Sequence, residues 1–281
     1  RRSSDLFCDA DGAGFYGLEK YYDELLAGTP GRTLSLRNAL GNEVAGEEER
    51  TYPQVDGGRL VLTLNVDVQA AAEKYLEAAI KTHNVEQRGI AIVMDVNTGA
   101  VLALAVKPDF DPNDPYAIYD PSLAARLEEA ESGEEYTQLQ GQLRELQWKN
   151  KAITDLYFPG SVFKLITTAA ALDSGVCAAD THFNCSGHFQ VLDREYSCAG
   201  TLTRSTTAHG WQDMALGLRN SCNSYYIQVG QALGAQRFFD YFNAFGFTEP
   251  TGIDLPSEQR GILYYSAENL RPVELASSSF G

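Results

Sequence analysis

At 281 residues and 44% hydrophobic content, the chain is long enough for one large domain or two, with a substantial buried core. A formal net charge of -16 argues against nucleic-acid binding, because phosphate is repelled. The acidic excess gathers partly in residues 47–49 and 128–135, and charge runs of that kind usually form solvated faces.

In chain order, Gly41 to Gly58 is rich in Glu, Gly and Pro and reads as a connection between domains. Arg59 to Asn65 alternates and predicts a strand, while Val66 to His83 carries helical periodicity. Ile90 to Asp95 and Val101 to Val106, joined through Asn97, Thr98 and Gly99, predict a hairpin. An amphipathic helix is expected from Ser122 to Trp148, interrupted near Gly133. Another runs from Ser161 to Gly175, with Phe-Pro-Gly ahead of it and glycine at its end. The polar stretch from Thr181 to Thr203 predicts loops and a small ribbon. Helices then fit Gln212–Leu218, Asn223–Leu233 and Gln236–Phe245.

Two short motifs carry the chemistry. Ser161-Val-Phe-Lys164 is the only place where Lys follows Ser by three residues, and Ser221-Cys-Asn223 the only place where Asn follows Ser by two. Residues three apart share a helix face, so the Lys164 ammonium can reach the Ser161 hydroxyl. A serine is a weak nucleophile until a neighbouring base takes its proton. Lysine serves as that base when burial and nearby cations depress its pKa. The first turn of a helix also favours negative charge developing at Ser161 or on the carbonyl it attacks. A Ser-x-x-Lys alone is weak, since it also describes a surface lysine one turn from an N-cap serine.

The surrounding residues are more specific. Asn150-Lys-Ala-Ile-Thr-Asp155 leads into Tyr-Phe-Pro-Gly-Ser161-Val-Phe-Lys164, and this resembles the nucleophile segment of penicillin-binding proteins. Leu62 to Gln69, Val93 to Ala105, Pro108 to Asn113, His209-Gly210, Asn220 to Asn223, Thr251 to Glu258 and Gly261 match in the same order. The resemblance covers about residues 12 to 281 and points to the class B branch, the D,D-transpeptidases of elongation, division and sporulation. Phe158 stands where that family usually has Glu, and Val162 where Thr is common.

The resemblance implies an α+β fold: a mainly antiparallel sheet flanked by helices, with an all-helical subdomain beside it. Residues 1–56 correspond to the end of a pedestal domain and a linker, and residues 57–281 to an incomplete transpeptidase domain. It also implies roles. Ser161 forms the acyl-enzyme with the penultimate D-Ala of a stem peptide, and Lys164 is the acylation base. Ser221 relays a proton to the departing amine, Asn223 holds the donor peptide, and the Ser161 backbone N–H supplies half of an oxyanion hole. The family's third motif, Lys-Thr/Ser-Gly, does not occur in these residues. Both ends are therefore expected to be cut, and residues 1–281 alone to be inactive and poorly stable. The implied ligands are stem peptides ending in D-Ala-D-Ala and β-lactams, and the implied partner is a polytopic membrane glycan polymerase. The implied location is the extracytoplasmic face of the bacterial membrane, with the single-pass anchor outside these residues.

Cys185, Cys198, His209 and Cys222 are separated by 13, 11 and 13 residues. Three thiolates and an imidazole are a complete tetrahedral zinc set. The spacing is too loose for a zinc finger, so the fold has to bring them together. Some elongation-type members of the resembled family carry a metal site in this region, and zinc here is expected to be structural. A Cys185–Cys198 disulfide and plain buried thiols are the competing readings. A set using His182 and His188 leaves Cys222 unexplained. Cys8 and Cys177 have no evident partner. Beyond transpeptidation, two other classes stay open: a β-lactamase or D,D-carboxypeptidase on the same fold, and a non-enzymatic β-lactam sensor or scaffold.

Overall fold

The computed structural model describes residues 13–14, 16–34, 50–85, 88–198, 208–261 and 266–281. Cys8, much of the expected 41–58 linker and the end of the 181–203 stretch lie outside the described residues. The chain forms two compact units, residues 1–155 with 253–258, and residues 156–252 with 259–281. The boundary expected after residue 56 thus falls inside the first unit.

In the first unit, short helices α1 (Gly17–Tyr21) and α2 (Asp23–Leu26) precede an exposed ribbon of β1 (Arg32–Leu34) and β2 (Arg50–Tyr52). Helix α3 (Val66–His83) starts where Asn65 accepts from the backbone N–H groups of Asp67 and Val68, a standard N-cap. Strands β3 (Gly89–Met94) and β4 (Val101–Lys107) form the expected antiparallel hairpin, with a register shift at Val93/Met94. The Gln69 side chain imitates a strand partner, accepting from Leu104 N–H at 2.8 Å and donating to Leu104 C=O at 3.1 Å. That pair fastens α3 to β4, whose Ala103 and Ala105 are buried.

The strand expected at Arg59–Asn65 does not form. The segment meets β4 only through Asn65 N–H to Leu102 C=O (2.8 Å) and Thr63 Oγ1 to Val101 C=O (2.6 Å). Val61, Leu62 and Leu64 stay exposed, so its alternating pattern has no apolar face to cover within the described residues.

The expected 122–148 helix is two helices, α4 (Pro121–Glu128) and α5 (Glu134–Trp148), parted where Gly133 adopts φ +138. Buried Gln147 ties α5 to the approach of α4 by accepting from Tyr119 N–H and donating to Ala117 C=O. Helix α6 (Lys151–Thr154) ends the segment.

In the second unit, a 3-10 turn (Gly160–Phe163) runs directly into α7 (Lys164–Asp173). Two antiparallel ribbons follow, β5 (Phe183–Cys185) with β8 (Gly210–Gln212), and β6 (His188–Val191) with β7 (Arg194–Ser197). Helix α8 (Met214–Arg219) starts two residues later than expected. Gln212 belongs to β8, and Asp213 caps the helix by accepting from Leu216 N–H. The two helices expected after Asn223 form end to end as α9 (Asn223–Ala244), divided by a kink at Gly234, whose φ of +73 and ψ of 162 are not helical. Helix α10 (Pro272–Ser278) closes the unit.

Helix α9 is the centre of the core, packed on α7 and α10, with Tyr225, Tyr226, Val229 and Leu233 at 2% exposure or less. Phe163, Ala170, Ala171 and Leu275 complete the cluster around it. Gly230 permits the approach of α10, since a Cβ there would sit 1.7 Å from Ser279 Oγ. All strand pairings among the described residues are antiparallel, and helix and ribbon alternate without βαβ units, which is an α+β arrangement.

Candidate active site

Ser161 lies in the 3-10 turn and Lys164 is the first residue of α7, so one turn separates hydroxyl and amine. Lys164 is completely buried. Its Nζ lies 2.9 Å from Ser161 Oγ, 2.9 Å from Ser221 Oγ, 2.9 Å from the Ser221 carbonyl and 2.8 Å from Asn223 Oδ1. The four predicted residues therefore converge on one nitrogen. Burial lowers the Lys164 pKa from 10.5 to about 8, against the opposing influence of Cys198 and Cys222.

The partner types matter. The Ser221 carbonyl and Asn223 Oδ1 can only accept, and together they use both N–H groups of a neutral amine. Its lone pair is then free to accept a proton from a serine hydroxyl. The ammonium and the free amine both fit this nest, as a group that takes and returns a proton requires.

Local structure explains why Ser221 is where it is. Helix α8 ends in a Schellman pattern, with Ser221 N–H on Leu218 C=O and Cys222 N–H on Gly217 C=O, both 2.9 Å. The left-handed position of that motif, usually glycine, is Ser221 at φ +47. Strain of this kind costs on the order of 1 kcal/mol and is typical of functional positions. Ser221→Gly is therefore expected to raise the thermal midpoint while lowering the rate of Ser161 acylation at least about 10-fold, as loss of one proton-transfer group does. Calorimetry and stopped-flow acylation on the same protein check it, and a destabilised variant contradicts the strain argument.

Cys222 then caps α9, its sulfur accepting from Tyr225 N–H at 3.4 Å. Asn223 opens that helix, and its Nδ2 donates to the Ser197 carbonyl at 3.3 Å. The sequence reading did not single out several supports. Thr168, one turn beyond Lys164, donates to the Lys164 carbonyl and meets Tyr226 Oη at 2.6 Å. The rings of Tyr226 and Phe280 flank Lys164 Nζ, with centroids at 5.8 and 5.9 Å. Helical spacing, i+4 from Lys164 for Thr168 and i+3 from Asn223 for Tyr226, is the signal that could have found the first two. Phe280 carried none.

Beside this nest, Cys185, Cys198, His209 and Cys222 place their ligand atoms within 4.8 Å of one another. His209 Nδ1 is 3.7 Å from Cys185 Sγ and 3.4 Å from Cys198 Sγ, and Cys198 Sγ is 3.6 Å from Cys222 Sγ. A zinc tetrahedron with Zn–S bonds of about 2.3 Å has edges of about 3.8 Å, so the residues present fit that ion. The four arrive from separate places: Cys185 ends β5, Cys198 follows β7, His209 precedes β8 and Cys222 joins α8 to α9. The three sulfurs are buried and unbridged; Cys177 is a fourth buried thiol, packed in the core. His182 and His188 are not part of the cluster. His182 turns to the Asp180 carbonyl and His188 to Glu195 and Ser197.

Residues 89–281 match the penicillin binding protein transpeptidase domain. The chain therefore belongs to the penicillin-binding protein transpeptidase family, on its class B branch. It is 33% identical over 276 residues to stage V sporulation protein D of Bacillus subtilis, covering 98% of this chain and 38% of that protein. It is 26% identical over 260 residues to the peptidoglycan D,D-transpeptidase MrdA of Acinetobacter baumannii, covering 92% of this chain and 34% of that one. Among solved structures, a peptidoglycan synthetase from Bifidobacterium adolescentis superposes with a TM-score of 0.72 at 25% identity, covering 99% of this chain and 45% of the other. The fold is thus the penicillin-binding transpeptidase fold expected from the sequence, and the chain spans well under half the length of these curated relatives. No helix among the described residues is long and apolar enough to cross a membrane.

Proposed function

We propose that this chain carries the acylation machinery of a peptidoglycan D,D-transpeptidase that acts on stem peptides ending in D-Ala-D-Ala at the extracytoplasmic face of the membrane. One observation carries the reading: a fully buried lysine amine lies within 2.9 Å of Ser161 Oγ, Ser221 Oγ and Asn223 Oδ1. Relatives named as peptidoglycan D,D-transpeptidases support the substrate class.

Neutral Lys164 takes the Ser161 proton as Oγ attacks the carbonyl carbon of the penultimate D-Ala. Negative charge on the former carbonyl oxygen develops at the opening turn of α7, where backbone N–H groups lack intrahelical acceptors. The tetrahedral intermediate collapses, the C–N bond to the last D-Ala breaks, and the Ser221 hydroxyl passes the Lys164 proton to the leaving amine. An ester on Ser161 remains. A second stem-peptide amine attacks that ester, the new amide forms, and the proton returns to Ser161 Oγ through Lys164. A β-lactam enters by the same attack, but its leaving nitrogen stays tethered after ring opening, so the ester persists.

A zinc ion held by Cys185, Cys198, His209 and Cys222 completes the proposal. With protein at all four positions, the ion would supply a cross-link and leave no site for activated water. These residues hold the turn that presents Ser221 and Asn223.

The test is incubation of the full gene product with a D-Ala-D-Ala stem peptide and an amine acceptor. Release of D-Ala with formation of the cross-linked peptide is expected, and both are lost in Ser161→Ala. Release of D-Ala with water as the acceptor assigns the protein to the carboxypeptidases instead, and no release refutes the enzyme reading.

A further inference from the structure

We propose that Gln212 is a positioning residue of the Cys185–Cys198–His209–Cys222 centre, its Nε2 donating an N–H···S hydrogen bond to the Cys222 sulfur when that sulfur is a metal-bound thiolate. This rests on the metal reading above and concerns a side chain with no place in the acylation chemistry.

Gln212 is 1% exposed. Its Oε1 accepts from Asn220 Nδ2 at 2.7 Å, and that bond sets which way round the amide lies. Nε2 is then left buried without an acceptor in hydrogen-bond geometry. A buried amide donor with no acceptor is costly, so an Nε2 left unpaired in a packed core calls for a stronger acceptor within its reach.

Position supplies that partner. In β8, Gly210 pairs with the ligand Cys185 and follows the ligand His209, and Gln212 lies two residues beyond on the same strand face. Asn220, which holds Gln212, lies two residues before the ligand Cys222. Gln212 therefore bridges the two chain segments that bring His209 and Cys222 to the centre. The sulfur already accepts one backbone N–H, from Tyr225. The Gln212 side chain reaches the same sulfur. A metal-bound Cys222 would carry more negative charge than the thiol and would be a stronger acceptor for Nε2. Outer-shell donors of this kind fix ligand orientation and raise metal affinity.

The full gene product is compared with Gln212→Met, which keeps the length and loses the donor. Gln212→Glu, which keeps the Asn220 bond and replaces Nε2 by oxygen, is the second variant. Zinc affinity is read by competition with a chromophoric chelator, and the sulfur-to-metal charge-transfer band is read on the cobalt(II) form. Both variants are expected to bind zinc about 10- to 100-fold more weakly, with the cobalt band moved to lower energy as the thiolate loses a donor. Should Gln212→Met fail to fold, Gln212→Glu carries the same expectation. Affinity within about twofold of wild type with an unmoved band overturns the Gln212 proposal while leaving the metal reading intact. Wild-type protein that binds neither zinc nor cobalt overturns both.

Discussion

Lys164→Met is expected to slow acylation of Ser161 by benzylpenicillin about 10²- to 10⁴-fold, the range that a positioned acid–base group contributes. The variant keeps the side-chain length and removes the amine that touches both serine hydroxyls and Asn223. The wild-type pH profile follows from the same residue. Burial holds its pKa at about 8 rather than 10.5, so the rate should climb with pH and level off above about 8, as the ammonium becomes the free amine. Stability carries a matching signature. Between pH 8 and 10.5 the unfolded chain binds more protons at this lysine than the folded one, so stability rises with pH across that window. The cost of holding the charge is full below pH 8 and absent above 10.5. Lys164→Met should flatten both profiles, measured by stopped-flow acylation and by denaturant titration at several pH values. A variant with wild-type acylation removes Lys164 from the mechanism.

Withdrawing the proposed zinc is expected to have the second large effect. A chelator is expected to lower the thermal midpoint by at least about 10 °C and to suppress acylation, with both restored by stoichiometric zinc. Structural zinc contributes on the order of 10 kcal/mol of binding free energy, and that energy is folding energy where the site is built by folding. In the proposed centre the ion would join β5, the end of β7, the start of β8 and the α8–α9 turn, which bears Ser221 and Asn223. Cys222→Ser should resemble the chelated protein and fail to recover with zinc. Metal analysis that finds no zinc, together with a Cys185–Cys198 bridge in the peptide map, contradicts this and restores the disulfide reading.

What was legible in the sequence divides along the range of the interaction. Ser161 and Lys164 are one helical turn apart, so their meeting needs only local geometry. Gly133 and Gly175 mark a break and a helix end through conformational preferences that act within a few residues. The arrival of Ser221 and Asn223 at Lys164 spans 57 and 59 residues and depends on α9 packing against α7, which only the motif resemblance anticipated. The strand expected at Arg59–Asn65 failed because alternation records two-faced burial and says nothing about a partner strand. Polar residues beside an apolar run resemble a helix start, which by sequence alone places Gln212 in a helix. Asp213 is the cap that decided otherwise. The unpaired Gln212 Nε2 and the left-handed Ser221 are properties of packing and of backbone torsion, and residue identity alone carries neither.

The most direct test is an intact-mass spectrum of the full gene product before and after benzylpenicillin, with the adduct mapped in wild type and in Ser161→Ala. The account predicts one long-lived ester, on Ser161, and none in the variant. An adduct on another residue, or labelling that survives in Ser161→Ala, contradicts the assignment of Ser161 as nucleophile, and absence of any adduct in wild type contradicts the acyl-enzyme itself.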